Sequence, residues 1–319
     1  MKSIVLILPY FGKFNDYFSL FLNSCKYNKT INWLIYTDDK RQFSYPPNVK
    51  VIYCTFSDFK KRIERNFQFN ISLDAPYKLC DFKPAYGEAL QQDIEEFDFW
   101  GHCDCDLIFG DLAHFITDEM LSKYSKLFTL GHLTIYKNES IVNTFYKTQN
   151  EINYKKIYTN STSFAFDEWS GVSKIWKNSG LPFYDVLVMD DIWPSGRNLT
   201  PTKALTGIES PYQDHNIDLS KYYLSMKDIV YEYNRGKLYR KWKNGQQINE
   251  EEVAYVHMQK RKMSVEPHIN KDNFLIIPNK FISFIPLRIN NISKLSKKKK
   301  GVNDYLSISK KYLKKILKK

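Results

Sequence analysis

Two carboxylates one residue apart sit between apolar runs in Phe97-Asp98-Phe99-Trp100-Gly101-His102-Cys103-Asp104-Cys105-Asp106-Leu107-Ile108-Phe109-Gly110-Asp111. In extended backbone, successive side chains point to opposite faces, so Asp104 and Asp106 share one side and Cys103 and Cys105 the other. Like charges held that close repel, and a divalent cation removes the conflict. Hard oxygen ligands suit manganese or magnesium, which are commonly held by one or two carboxylates together with the phosphate oxygens of a substrate. The chemistry to expect is metal-assisted handling of a nucleotide diphosphate. Zinc is the rival ion, because His102, Cys103 and Cys105 are soft donors, but no second Cys/His pair with suitable spacing is present.

A second group of donors lies far along the chain. Val253-Ala254-Tyr255-Val256 reads as a short strand delivering His257, and Lys260, Arg261 and Lys262 follow at once. Two further acidic pairs lie between these groups, Asp167-Glu168 in an aromatic frame and Asp190-Asp191 after Val188-Met189. A buried acid of this kind deprotonates a hydroxyl when its pKa is raised toward neutrality. His132 is expected to satisfy local hydrogen bonds.

The Asp104-Cys105-Asp106 stretch, followed by Leu107-Ile108-Phe109-Gly110-Asp111-Leu112, resembles the Asp-x-Asp motif of GT-A-fold nucleotide-sugar glycosyltransferases of the bacterial capsule and lipopolysaccharide type. The His257 segment resembles the C-terminal motif of family 8 transferases, with Lys260 where that family has a glycine. This resemblance implies that Asp104, Asp106 and His257 hold Mn2+ or Mg2+, and that Lys260 or Arg261 meets the diphosphate. Asp81 and Lys83, in Leu79-Cys80-Asp81-Phe82-Lys83-Pro84, resemble the donor-contacting segment of family 8 and Och1-like transferases, although Pro84 stands where the Och1-like pattern has an arginine. The implied reaction moves a hexose from a nucleotide diphosphate sugar, UDP-sugar favoured, to a saccharide or lipid-linked saccharide. If it inverts, Asp167, Glu168 or Asp191 is the candidate base; the histidine motif favours retention, which needs none. A metal-dependent nucleotidyltransferase and a non-catalytic carbohydrate-binding protein at a membrane surface are the alternatives. No Gly-rich loop that cradles a triphosphate supports the first.

These residues need a scaffold. Ile4 to Leu8 reads as a buried strand breaking at Pro9-Tyr10-Phe11-Gly12, a helix is expected from about Asp16 to Cys25, and Asn32 to Thr37 reads as a strand ending in Asp38-Asp39. Strand, helix, strand is a βαβ unit. Ligands of open α/β sheets sit outside the carboxyl ends of the strands, so Pro9, Tyr10, Gly12, Asp38 and Asp39 are expected at the mouth of the nucleotide site. Val49 to Cys54 alternates as a third strand, Ser57 is the expected cap of the next helix, and Asn244-Gly245 is expected to turn a hairpin. The fold class is α/β: a GT-A-like single domain over residues 1–280, with a mostly parallel central sheet and a Rossmann-like nucleotide-binding half. A basic amphipathic extension follows over residues 281–319.

Composition narrows the partners. Aromatic residues make up 16% of the chain, too many for a disordered protein. Of the net charge of +12, the segment from Lys294 onward carries eleven lysines and one aspartate, a net +10, leaving about +2 for the body. A basic face tracking phosphates is therefore not expected, and neither is nucleic-acid binding. Five irregularly spaced cysteines point to reduced thiols. Between Tyr305 and Lys319 apolar residues line one helical face and lysines the other, as in a helix lying on an anionic membrane surface. The expected location is cytoplasmic, peripheral on the inner face of the cell membrane.

Overall fold

The structure, a computed structural model, describes residues 2–148, 151–194, 198–201 and 226–297. The expected amphipathic tail helix, Tyr305 to Lys319, lies outside the described residues. Strand β1 (Ile4–Tyr10) is the axis of the molecule, with parallel neighbours on both sides. Its unbroken apolar run is the pattern of a strand covered on both faces. Ile4, Leu6 and Leu8 enter one apolar cluster and Val5 and Ile7 another.

Helix α1 (Phe18–Tyr27), strand β2 (Ile31–Thr37) and strand β3 (Val49–Tyr53) follow. Helix α2 (Phe56–Glu64) is capped two residues earlier than expected. Thr55, rather than Ser57, is its cap: the Asp58 N–H donates to Thr55 Oγ1 at 3.1 Å while the Asp58 carboxylate accepts the Thr55 N–H. A reciprocal box satisfies two otherwise orphaned donors, which a single serine cap would not. A run of one-turn helical pieces over residues 76–89 then leads to β4 (Phe99–Cys103).

β5 (Leu107–Phe109), β6 (Lys126–Leu127), β7 (Leu133–Lys137) and β8 (Phe183–Tyr184) come next. The central sheet has the order β3-β2-β1-β4-β7-β6-β8, parallel from β3 to β4 and antiparallel where β7 joins β4. The chain adds β2 and β3 on one side of β1 and returns to place β4 on the other. The reversal between β1 and β4 is a topological switch point, where the crevice at the strand ends receives ligands.

Two smaller sheets complete the architecture. β9 (Asp190–Asp191) and β13 (Tyr255–His257) join β5 in a three-stranded sheet with β13 in the middle. β10 (Lys227–Asn234), β11 (Lys237–Asn244), β12 (Gln247–Glu252), β14 (Ser264–Val265), β15 (Asn273–Ile277) and β16 (Lys280–Ser283) form a mostly antiparallel sheet in the order β12-β11-β10-β15-β16-β14. In the β11–β12 hairpin Asn244 pairs with Gln247, so the turn is Gly245-Gln246, one residue beyond the expected pair, with Gly245 at φ +58. β16 pairs with β15 across position 280, and the helix Ile289–Leu295 packs on β10, so the packed body continues past residue 280. Helix α1 joins the layers: Phe18, Phe21 and Leu22 face the central sheet, while Leu20 faces the apolar cluster of the second sheet.

Candidate functional site

Asp104 and Asp106 follow directly on β4, beside the switch point. The alternation read from the sequence holds, since Cys103 and Cys105 pack into the apolar core and both acids face the other way, half-buried. All five cysteines are free thiols. His257 reaches the acids through strand pairing, because β13 runs antiparallel to β5 with His257 opposite Leu107, and the Met258 N–H donates to the Asp106 carbonyl at 3.0 Å. His257 Nε2 lies 3.2 Å from Asp106 Oδ1. One donor atom from each of Asp104, Asp106 and His257 falls within 4.8 Å of the others.

The other edge of β13 brings Asp191. β9 runs parallel to β13 with Asp191 opposite His257, and His257 Nδ1 lies 2.8 Å from Asp191 Oδ1. The alternation of the strand turns its neighbour, Asp190, the opposite way into the protein. There Asp190 accepts from Tyr231 Oη at 2.9 Å and from the buried Arg240 guanidinium at 2.6 Å. Burial opposes the charge of His257, but Asp106 and Asp191 outweigh it and hold the imidazole pKa well above its usual range. Burial also opposes ionisation of Asp191, but its hydrogen bond with His257 leads the effects that hold its pKa down. The His132 ring sits 4.4 Å from the His257 ring, its Nδ1 hydrogen-bonded to Tyr255 Oη, and burial first of all lowers its pKa to about 3. His132, Asp191 and His257 thus form a second potential ligand group sharing His257.

Lys83 connects the acids to Asp167. Its ammonium donates to Asp104 Oδ1 at 2.7 Å and to the Gly131 carbonyl at 2.9 Å, and lies 3.0 Å from Asp167 Oδ2. Burial opposes the ionised form of Asp104 and the Lys83 charge overcomes it, lowering the pKa of Asp104. At Asp167 burial wins and the pKa is raised. Burial, then Asp167, pushes Glu168 up to about 7. Gly131 is required for this approach, since a Cβ there would lie 2.2 Å from Asp167 Oδ2.

The remaining expected residues make contacts of their own, and the loop after β1 reaches the acids' strand, where Asn15 Nδ2 donates to the Cys105 carbonyl at 3.1 Å. Asp38 accepts the Gly12 N–H at 2.7 Å, and Asp39 accepts the Phe14 N–H and binds Arg41, so both brace the loop after β1. Pro9 lies within β1, and Tyr10 stacks on Phe14 with ring centroids 4.8 Å apart. Asp81 is fully buried, paired with Lys78 at 2.6 Å and accepting the Phe164 and Phe166 N–H groups, so it anchors the segment before Asp167. Arg261 is buried and donates to the Trp193 and Asn198 carbonyls and to Asn279. Lys260 is exposed, its Nζ 5.5 Å from the centre of the Tyr77 ring. The pairings of Lys83 with Asp104 and Asp167, and of Asp191 with His257, join distant segments and carry no local pattern. The inward Arg240 does leave one: a charge on the buried face Leu238, Arg240, Trp242 of an alternating strand.

The fold and site define an α/β protein with a carboxylate–imidazole cluster at the switch point of its sheet. The chain belongs to the family of unknown function DUF6625, whose profile matches residues 6–285. No match to a curated protein was found. Similar solved structures include an active-site mutant of LgtC, 9% identical with TM-score 0.40, and galactosyltransferase LgtC in complex with donor and acceptor sugar analogs, 11% identical with TM-score 0.37. Each match covers 81% of this chain and 87% of the other. Among the described residues, no helix is long and apolar enough to cross a membrane.

Proposed function

We propose that the protein is a metal-dependent glycosyltransferase that moves a hexose from a nucleotide diphosphate sugar, UDP-sugar favoured, to a saccharide or lipid-linked saccharide in bacterial surface polysaccharide synthesis. The observation carrying this reading is the convergence of Asp104, Asp106 and His257 at the sheet's switch point. Two carboxylates are hard donors that fit Mn2+ or Mg2+, and the imidazole favours Mn2+ of the two. When bound, the ion would offset the negative charge that gathers on the departing diphosphate.

The chain's own groups divide the remaining work. Lys83 fixes Asp104 and supplies a fixed positive charge at the inner wall. Lys260, which is exposed, is the base assigned to the diphosphate, whereas Arg261 donates to backbone carbonyls. Asp167 is engaged by Lys83 and Asp191 by His257, which leaves Glu168 as the acid suited to accept a proton near neutral pH. Retention, which needs no such base, is the favoured course. The lysine-rich tail would hold the enzyme on the anionic inner face of the cell membrane.

The test is thermal stabilisation by UDP, GDP, ADP and CDP, each with and without Mn2+. A ligand at about 100 times its dissociation constant stabilises by about 2.7 kcal/mol. The expected result is a shift with one nucleotide that needs Mn2+ and disappears in Asp106→Asn. Absence of any metal-dependent shift in the wild-type protein would overturn the reading.

A further inference from the structure

We infer that Asp191 is a positioning residue for the metal centre, fixing the His257 ring so that Nε2 faces Asp104 and Asp106. This inference rests on the metal-binding part of the proposed function. It departs from the sequence expectation, which makes Asp191 a candidate base.

The argument begins with the two nitrogens of one imidazole. His257 Nδ1 lies 2.8 Å from Asp191 Oδ1, and Nε2 lies 3.2 Å from Asp106 Oδ1, so the ring spans two carboxylates. A histidine whose Nδ1–H is held by a carboxylate presents its Nε2 lone pair outward, with both tautomer and ring angle set. The backbone sets the same geometry, because His257 and Asp191 are directly opposed in the parallel β9–β13 pairing.

Asp191 is itself held from behind. Its neighbour Asp190 points into the protein and is bound by Arg240 of β11 and Tyr231 of β10. The acidic pair thus divides its duties: Asp190 ties β9 to the second sheet, and Asp191 orients the histidine. On the ring's other side His132 sits 4.4 Å away between centroids, restrained by Tyr255, and limits tilting of His257.

The test is a metal titration of the intact protein with Mn2+ by electron paramagnetic resonance and with Co2+ by its visible absorption, without any nucleotide sugar. Asp191→Asn is nearly isosteric and Asp191→Ala removes the acceptor. The expected result is about 10- to 100-fold weaker metal binding in Asp191→Ala and a smaller loss in Asp191→Asn. Repeated in a His257→Ala background, either substitution should cost nothing further, since the residue acts through that ring.

An Asp191→Ala protein that unfolds cooperatively like the wild type and binds metal as tightly would overturn the inference. An equal, additive loss in the His257→Ala background would also overturn it, by making Asp191 a direct ligand. If the wild-type protein binds neither metal, the proposed function fails with it. Wild-type binding unaffected by Asp191 sinks the inference alone.

Discussion

Lys83 carries one positive charge between two carboxylates from distant parts of the chain, and its side chain is only 11% exposed. Replacing it with Met leaves Asp167 buried without a cation and frees Asp104. Breaking such a pair costs about 3 kcal/mol, the lower end of the usual range because Asp104 is about a third exposed. Urea unfolding of Lys83→Met should show that loss. Glu168 predicts a pH effect: its folded pKa of about 7 lies above the ordinary value near 4.5. The folded chain therefore binds a proton more tightly than the unfolded one. The Glu168 contribution to stability is full below pH about 4.5 and is lost as pH rises through about 7. Melting temperatures between pH 4.5 and 8 should fall less steeply in Glu168→Gln than in the wild type. At this scale Asp104 and Asp106 were legible as a pair because residue type and strand alternation are local signals, whereas His257 was joined to them only through the family 8 resemblance. Lys83 was legible as a basic group, but its partner Asp167 was not, because nothing local encodes a contact made across the fold.

Strand β9 is only two residues long, yet it joins the site to the second sheet through Asp190 and Arg240. Asp190→Asn leaves a buried guanidinium with Glu251 as its acidic partner, and a loss of about 3 kcal/mol in a urea titration is expected. The loop before β7 has its own constraint. Gly131→Ala forces a methyl group against a carboxylate that Lys83 pins, and overpacking of this kind costs about 1–3 kcal/mol. A lowered unfolding midpoint would be the readout, together with a weaker Mn2+-dependent nucleotide shift. Of the elements, β1, β2, β3 and α1 were readable because buried apolar runs and helical periodicity speak within a few residues. The cap of α2 moved from Ser57 to Thr55 because a capping box depends on a reciprocal pair, Thr55 and Asp58. The three-stranded sheet was not readable, since β5, β9 and β13 are too short to announce their partners.

The whole molecule combines a near-neutral body with a strongly basic end. Removing residues 298–319 takes away nine lysines and one aspartate. The full chain should co-sediment with phosphatidylserine-containing vesicles in a salt-sensitive manner, each base contributing about 1 kcal/mol, and the shortened chain should stay in the supernatant. Binding that persists in the shortened chain would place the membrane contact in the body instead. A different consequence follows from the order of β5-β13-β9, whose middle strand is the last of the three in sequence. During synthesis β5 and β9 wait with bare edges until residues 255–257 have emerged. Pairing strands so far apart in sequence must meet its closure entropy before any contact forms, and it is slow. The carboxylate–imidazole cluster thus cannot close until His257 has been made, when most of the central sheet has already emerged.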